Sequence, residues 1–107
     1  MAYSHITIQA LAQKLTAMND RQLVLDVRTP EEFQAGHVPH SRNIPYDQIQ
    51  SHFSELAKYE ALYIICKSGG RASVAASVLD TLAHHPGIYC VSSLGMPDWI
   101  SSGFPVE

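Results

Sequence analysis

The 107-residue sequence predicts an α/β fold, a small open parallel sheet with helices on both faces. Two kinds of observation lead there. Short, unbroken apolar runs alternate with segments of helical periodicity, the pattern of strands joined by crossover helices. The runs are apolar at almost every position, as in a parallel sheet covered on both faces. With 46% hydrophobic and 16% charged residues and no repeat or linker-like tract, residues 1–107 read as one domain.

Taken in chain order, Thr7 is placed to cap a helix running through Leu11 and Leu15. Leu23-Val24-Leu25-Asp26-Val27 is too brief for a helix of its own and reads as a buried strand. Thr29 as N-cap and Pro30 at the first helical position start a short helix that Gly36 ends. A further helix is expected over 47–58, followed by the strand Leu62-Tyr63-Ile64-Ile65, which stops at Cys66. Beyond the glycines, Val74, Val78 and Leu82 recur at four-residue steps beside Ala75 and Leu79, predicting a helix over 71–83 with that face on the sheet. Pro86 and Gly87 punctuate its end, Ile88-Tyr89-Cys90-Val91 forms a last strand, and Pro97-Asp98-Trp99-Ile100 a final short helix ending at Gly103.

Composition excludes several function classes. A net charge of −3 offers no broad basic field for nucleic acid. No stretch approaches the ~20 apolar residues that span a bilayer, so no membrane partner is expected. The opening lacks a secretory pattern, and Cys66 and Cys90 belong to no Cys-x-x-Cys pair, so a reducing, cytoplasmic setting is expected. No metal or other cofactor is expected: His37 and His40 flank Pro39 in a turn, and His84-His85 stand at a helix end, where they suit the helix dipole. Trp99 and Phe104 read as core.

The segment Cys66-Lys67-Ser68-Gly69-Gly70-Arg71 carries the chemistry. In open α/β sheets ligands bind where the chain leaves the carboxyl end of a strand for a helix, and Cys66 falls at such a junction. Thiolates attack where thiols do not, and nearby positive charge or a helix N-terminus favours the thiolate. Gly69 and Gly70 let backbone N–H groups turn toward one point, forming an anion nest beside the sulfur. Lys67 and Arg71 add local positive charge, and Arg71 can grip an oxyanion at two points. Asp26 and Arg28, at the end of the first long strand, are expected to support this loop through hydrogen bonds and an ion pair, although pairing with Glu32 or another carboxylate explains them as well. Cys90, inside an apolar strand pattern, reads as core.

These residues resemble the rhodanese family over nearly the whole chain. Leu25-Asp26-Val27-Arg28 through Glu32-Phe33 is similar to the family's Asp-Val-Arg and Glu-Phe signature, and Gly36-His37-Val38-Pro39 through Asn43-Ile44-Pro45 to its Gly-His-Ile and Asn-Ile-Pro segment. The loop from Cys66 to Arg71 is the third likeness, and Leu94-Gly95-Met96-Pro97-Asp98-Trp99 resembles the closing Gly-Gly-Met-x-x-Trp. Leu94 departs from the first of those glycines, and Ala72 stands where a serine or threonine often follows the loop.

The resemblance implies a rhodanese-like fold and a sulfurtransferase. Cys66 would take the outer sulfur of a donor such as thiosulfate, release sulfite, hold the sulfur as a persulfide, and yield it to a thiol or cyanide. Lys67, Ser68, Gly69, Gly70 and Arg71 would bind the substrate. Retention of Cys66 favours an enzyme over the inactive modules of the family. Four residues separate Cys66 from Arg71, whereas related phosphatases and arsenate reductases have five, which disfavours their chemistry. Mercaptopyruvate enzymes resemble Cys-Gly-Ser-Gly-Val-Thr at this loop, and Lys67 and Arg71 depart from that toward an anionic inorganic donor. The alternative is a persulfide carrier or interaction module fed by a protein partner.

Overall fold

A computed structural model describes residues 3–67, 70–83, 87–91 and 95–107. The side chains of Leu82 and Ala83 lie outside that description, as do residues Ser68, Gly69, His84, His85, Pro86 and Leu94. Along the chain run β1 (Ser4–Ile6), α1 (Ile8–Leu15), β2 (Gln22–Asp26), α2 (Pro30–Ala35) and β3 (Arg42–Asn43). There follow a 3₁₀ helix (Tyr46–His52), α3 (Phe53–Leu56), β4 (Ala61–Ile65), α4 (Gly70–Ala83), β5 (Ile88–Val91) and α5 (Met96–Ser101). The five strands form one parallel sheet in the order β1-β5-β4-β2-β3, the α/β architecture expected.

The period of two along each strand sorts side chains onto two apolar layers. Leu23, Leu25, Leu62, Ile64, Ile88 and Cys90 face the layer completed by Ile49, Leu56 and α4, whereas Val24, Tyr63, Ile65 and Val91 face Ile8, Leu11, Met96 and Trp99. The sheet is thus covered by the 3₁₀ helix, α3 and α4 on one side and by α1 and α5 on the other. Among the described residues no helix is long and apolar enough to cross a membrane.

Local chemistry fixes the helix ends. The Thr7 hydroxyl accepts the Ala10 N–H at 3.1 Å and starts α1. Thr29 and Glu32 form a reciprocal capping box at α2, with Pro30 in the first turn and Gly36 closing it. Trp99, fully buried, donates its indole N–H to the Pro105 carbonyl at 2.8 Å, which ties the end of the chain to α5.

Three expectations need correction. Residues 47–58 are not one helix: the chain winds first as a 3₁₀ helix, and at three residues per turn Phe53 rotates off the face of Ile49, leaving Phe53 exposed and Ile49 buried. The buried face of α4 is Ala72, Ala75, Ala76 and Leu79, while Val74 is 48% exposed and Val78 only partly buried. Small alanines bring the helix close to the sheet, so the face of Ala75 and Leu79 wins over the valine row. β1 and β3 were not expected, because these edge strands of three and two residues expose all their side chains in part except Ile6.

Candidate active site

Cys66 follows directly on β4, the middle strand, and its side chain is 1% exposed. The Ala72 N–H, in the first turn of α4, donates to Sγ at 3.3 Å. A helix leaves its first N–H groups without intrahelical partners, so this sulfur sits where the helix presents donors and the positive end of its dipole. The Cys66 carbonyl is held from the other side by the Met96 N–H at 2.9 Å. Gly95 makes that approach possible. Its φ is +57°, and a Cβ there would lie 1.9 Å from the Cys66 carbonyl oxygen.

Lys67 is exposed, while Ser68 and Gly69 lie outside the described residues. Gly70 opens α4, and a Cβ added there would meet no atom within 4 Å. Arg71 lies in the first turn, but its fork is occupied: Nη1 and Nη2 donate to Glu32 Oε1 and Oε2 at 2.8 and 3.2 Å. Glu32 also accepts the Thr29 backbone N–H at 3.2 Å and hydroxyl at 3.1 Å. Arg71 above all, and Thr29 with it, hold the Glu32 carboxyl down to about 2 against the opposing effect of burial. The pairing in turn raises the Arg71 guanidinium, and Cys66 and Asp26 are among the groups acting on it.

Asp26 and Arg28 are buried at the end of β2, beside Ile65 of β4. They pair with each other. Arg28 donates its backbone N–H and Nε to Asp26 Oδ1 at 3.0 Å, and Nη2 to Oδ2 at 2.6 Å. Arg28 Nη2 reaches on to the Gly36 carbonyl at 2.8 Å, and Asn43 Nδ2 donates to the carbonyls of Asp26 and Arg28 at 3.0 Å. The charges thereby brace the turn between β2 and α2, from which Glu32 reaches Arg71.

Sequence reasoning missed Glu32 as the partner of Arg71 and Gly95 as the seat of the Cys66 carbonyl. The capping-box spacing from Thr29 marked Glu32 as fixed, although nothing in it named Arg71. Cys90 is also 1% exposed; burial pushes its thiol up, and the Ser73 hydroxyl lies 3.8 Å from its sulfur. Among the described residues no group of three or more His, Cys, Asp or Glu is placed to hold a metal ion. A cavity of about 430 Å³ opens near the start of β2, between Leu15, Met18, Pro39 and Tyr59, and includes no residue of the Cys66 loop.

Comparison with known proteins gives this geometry a family. The profile of the Rhodanese-like domain matches residues 8–102. The chain is 35% identical over 95 residues to YrkF of Bacillus subtilis, described as a candidate sulfur carrier, covering 88% of this chain and 49% of that protein. It is 33% identical over 100 residues to the chloroplastic thiosulfate sulfurtransferase 16 of Arabidopsis thaliana, covering 78% of each. The chain spans about half the length of several curated relatives that it matches. The crystal structure of a rhodanese-related protein from Thermoplasma volcanium superposes with a TM-score of 0.77 at 28% identity, covering 98% of both chains. With the match running from α1 to the end of α5, the chain belongs to the rhodanese-like domain family of sulfurtransferases and sulfur carriers.

Proposed function

We propose that this protein is a sulfurtransferase that moves sulfane sulfur through a persulfide on Cys66, from thiosulfate or a similar donor to a thiol or cyanide. The observation that carries this reading is the Cys66 sulfur at the carboxyl end of β4 with the Ala72 N–H of α4 donated to it at 3.3 Å. The Cys66 thiolate attacks the outer sulfur of thiosulfate; the new S–S bond forms as the bond to the sulfonate sulfur breaks, and sulfite leaves with the electron pair. Cyanide then takes the outer sulfur as thiocyanate, or a thiolate takes it as a new persulfide, and the Cys66 thiolate returns. The helix N–H groups stabilise the persulfide anion in place, since they need no reorientation as charge moves onto the outer sulfur. A reducing cytoplasm, which keeps Cys66 and Cys90 out of disulfides, is the setting that suits this reading.

A second reading, a persulfide carrier fed by a protein partner, draws on one observation. The Arg71 guanidinium is engaged by Glu32, so less positive charge faces an inorganic dianion than the loop sequence implies. YrkF, a candidate sulfur carrier, is a relative of that kind. Intact mass after mixing the reduced protein with thiosulfate and then cyanide separates the two. A gain of one sulfur atom that cyanide removes, absent in Cys66→Ala, supports turnover of a small donor. An unchanged mass with Cys66 still alkylatable overturns it in favour of the partner-fed carrier.

A further inference from the structure

The arginine fork on the residue next to the Ala72 donor is suited to a sulfonate or other oxyanion, yet here a carboxylate of the same chain fills it. Glu32 takes both Arg71 nitrogens in the two-point geometry an oxyanion would use. Its position is not set by Arg71 alone, because the capping box with Thr29 fixes the side chain on α2. The two side chains remain 31% and 27% exposed, so the pair stands at the surface of the site rather than in the core. A donor of charge −2 must either displace a charge-assisted pair or bind beside an extra carboxylate. A donor of low charge meets neither cost.

We propose that Glu32 is a specificity-determining residue that fills the Arg71 fork and biases Cys66 toward sulfane donors of low charge, such as persulfides carried on thiols or protein cysteines, over inorganic dianions. The donor class rests on the sulfur-transfer reading above; the electrostatic role of Glu32 stands apart from it. At the effective dielectric of a solvated site, removing one charge several ångströms away changes the rate by about threefold per unit of reagent charge.

The experiment uses the full chain as wild type, Glu32→Gln and Glu32→Asp. Gln keeps the capping box while removing the charge, and Asp keeps the charge. Two sulfur donors are compared by the rate of mass gain on Cys66: thiosulfate, and the monoanion methanethiosulfonate, whose outer sulfur passes to the thiolate as methanesulfinate leaves. Two alkylating reagents, anionic iodoacetate and neutral iodoacetamide, are compared on Cys66 by peptide mapping. Glu32→Gln is expected to raise the thiosulfate rate roughly tenfold and the methanethiosulfonate rate about threefold. The iodoacetate-to-iodoacetamide ratio should rise about threefold, iodoacetamide itself following only the thiolate fraction of Cys66, and Glu32→Asp should keep the wild-type ranking. Equal changes for charged and neutral reagents, or an unmoved ratio, overturn the proposal. If neither donor modifies wild-type Cys66, the sulfur-transfer reading fails, and the alkylation ratio still decides the role of Glu32.

Discussion

Cys66 and Cys90 have the same burial and face the same apolar layer, one just beyond β4 and the other within the adjacent β5. They differ in what the chain builds around them. Cys66 has left the ladder, so its sulfur meets a helix N–H and its carbonyl is anchored by Met96. Cys90 stays paired in the sheet, where desolvation favours its neutral thiol. Burial alone therefore does not distinguish the proposed nucleophile from a core residue; the change of backbone direction does, because it turns the Ala72 N–H toward the Cys66 sulfur, whereas the Cys90 sulfur has the Ser73 hydroxyl beside it.

The strongest way to break this contrast is to remove each sulfur in turn. Cys66→Ala is expected to lower thiosulfate:cyanide turnover by more than about 1000-fold, whereas Cys90→Ala should stay within about threefold of wild type. Comparable losses in both variants would end the distinction. The next test strikes the frame of the Cys66 end. Replacing Arg28 by Met leaves the buried Asp26 without its partner and should cost about 3 to 5 kcal/mol in denaturant unfolding. Arg42→Met, at the half-exposed pair with Glu55 on the sheet edge, should cost under about 1 kcal/mol. Equal costs would show that Asp26 and Arg28 do not brace the turn.

Gly95 sharpens the comparison further, since the Cys90 backbone is held by its strand neighbours His5 and Ile64 instead. Gly95→Ala puts a methyl into the Cys66 carbonyl at a left-handed φ, and should cost about 2 to 4 kcal/mol and slow persulfide formation at least ~10-fold. Gly70→Ala, with open space at the start of α4, should change stability by under about 1 kcal/mol. A silent Gly95→Ala would mean that the α5 turn does not position Cys66.

Which parts of this arrangement the sequence reveals follows from the range of the forces involved. The Thr29 cap, Pro30 and Gly36 are local signals and appear in the structure as read, as do the apolar runs of β2, β4 and β5. Arg71 and Glu32 are 39 residues apart, and only the parallel pairing of β2 with β4 brings α2 and α4 to the same end of the sheet. The loop therefore reads in sequence as more positive than it is in the fold. The contact of Gly95 with Cys66 is tertiary in the same way. On α4 the valine row and the alanine–leucine row were both helical in spacing, and packing distance chose between them.

The smallest expected effect is the pH dependence of the Glu32 contribution. The Glu32 carboxyl titrates at about 2 in the folded chain, against roughly 4.3 when unfolded, so protons bind the unfolded state more tightly. Its stabilising effect is therefore complete above about pH 5 and is lost as pH falls through the folded value. Because the pair is partly open to water, screening keeps that effect under about 1 kcal/mol. Glu55 is also held down to about 2, by Arg42 and then His52, so acid unfolding of the wild type alone mixes two carboxylates. The stability difference between wild type and Glu32→Gln cancels Glu55 and isolates Glu32. That difference should shrink steadily between pH 5 and pH 2 on urea unfolding. A difference independent of pH would mean that the Arg71 charge does not hold the Glu32 carboxylate ionised in the folded chain, which would also remove the physical basis for donor selection.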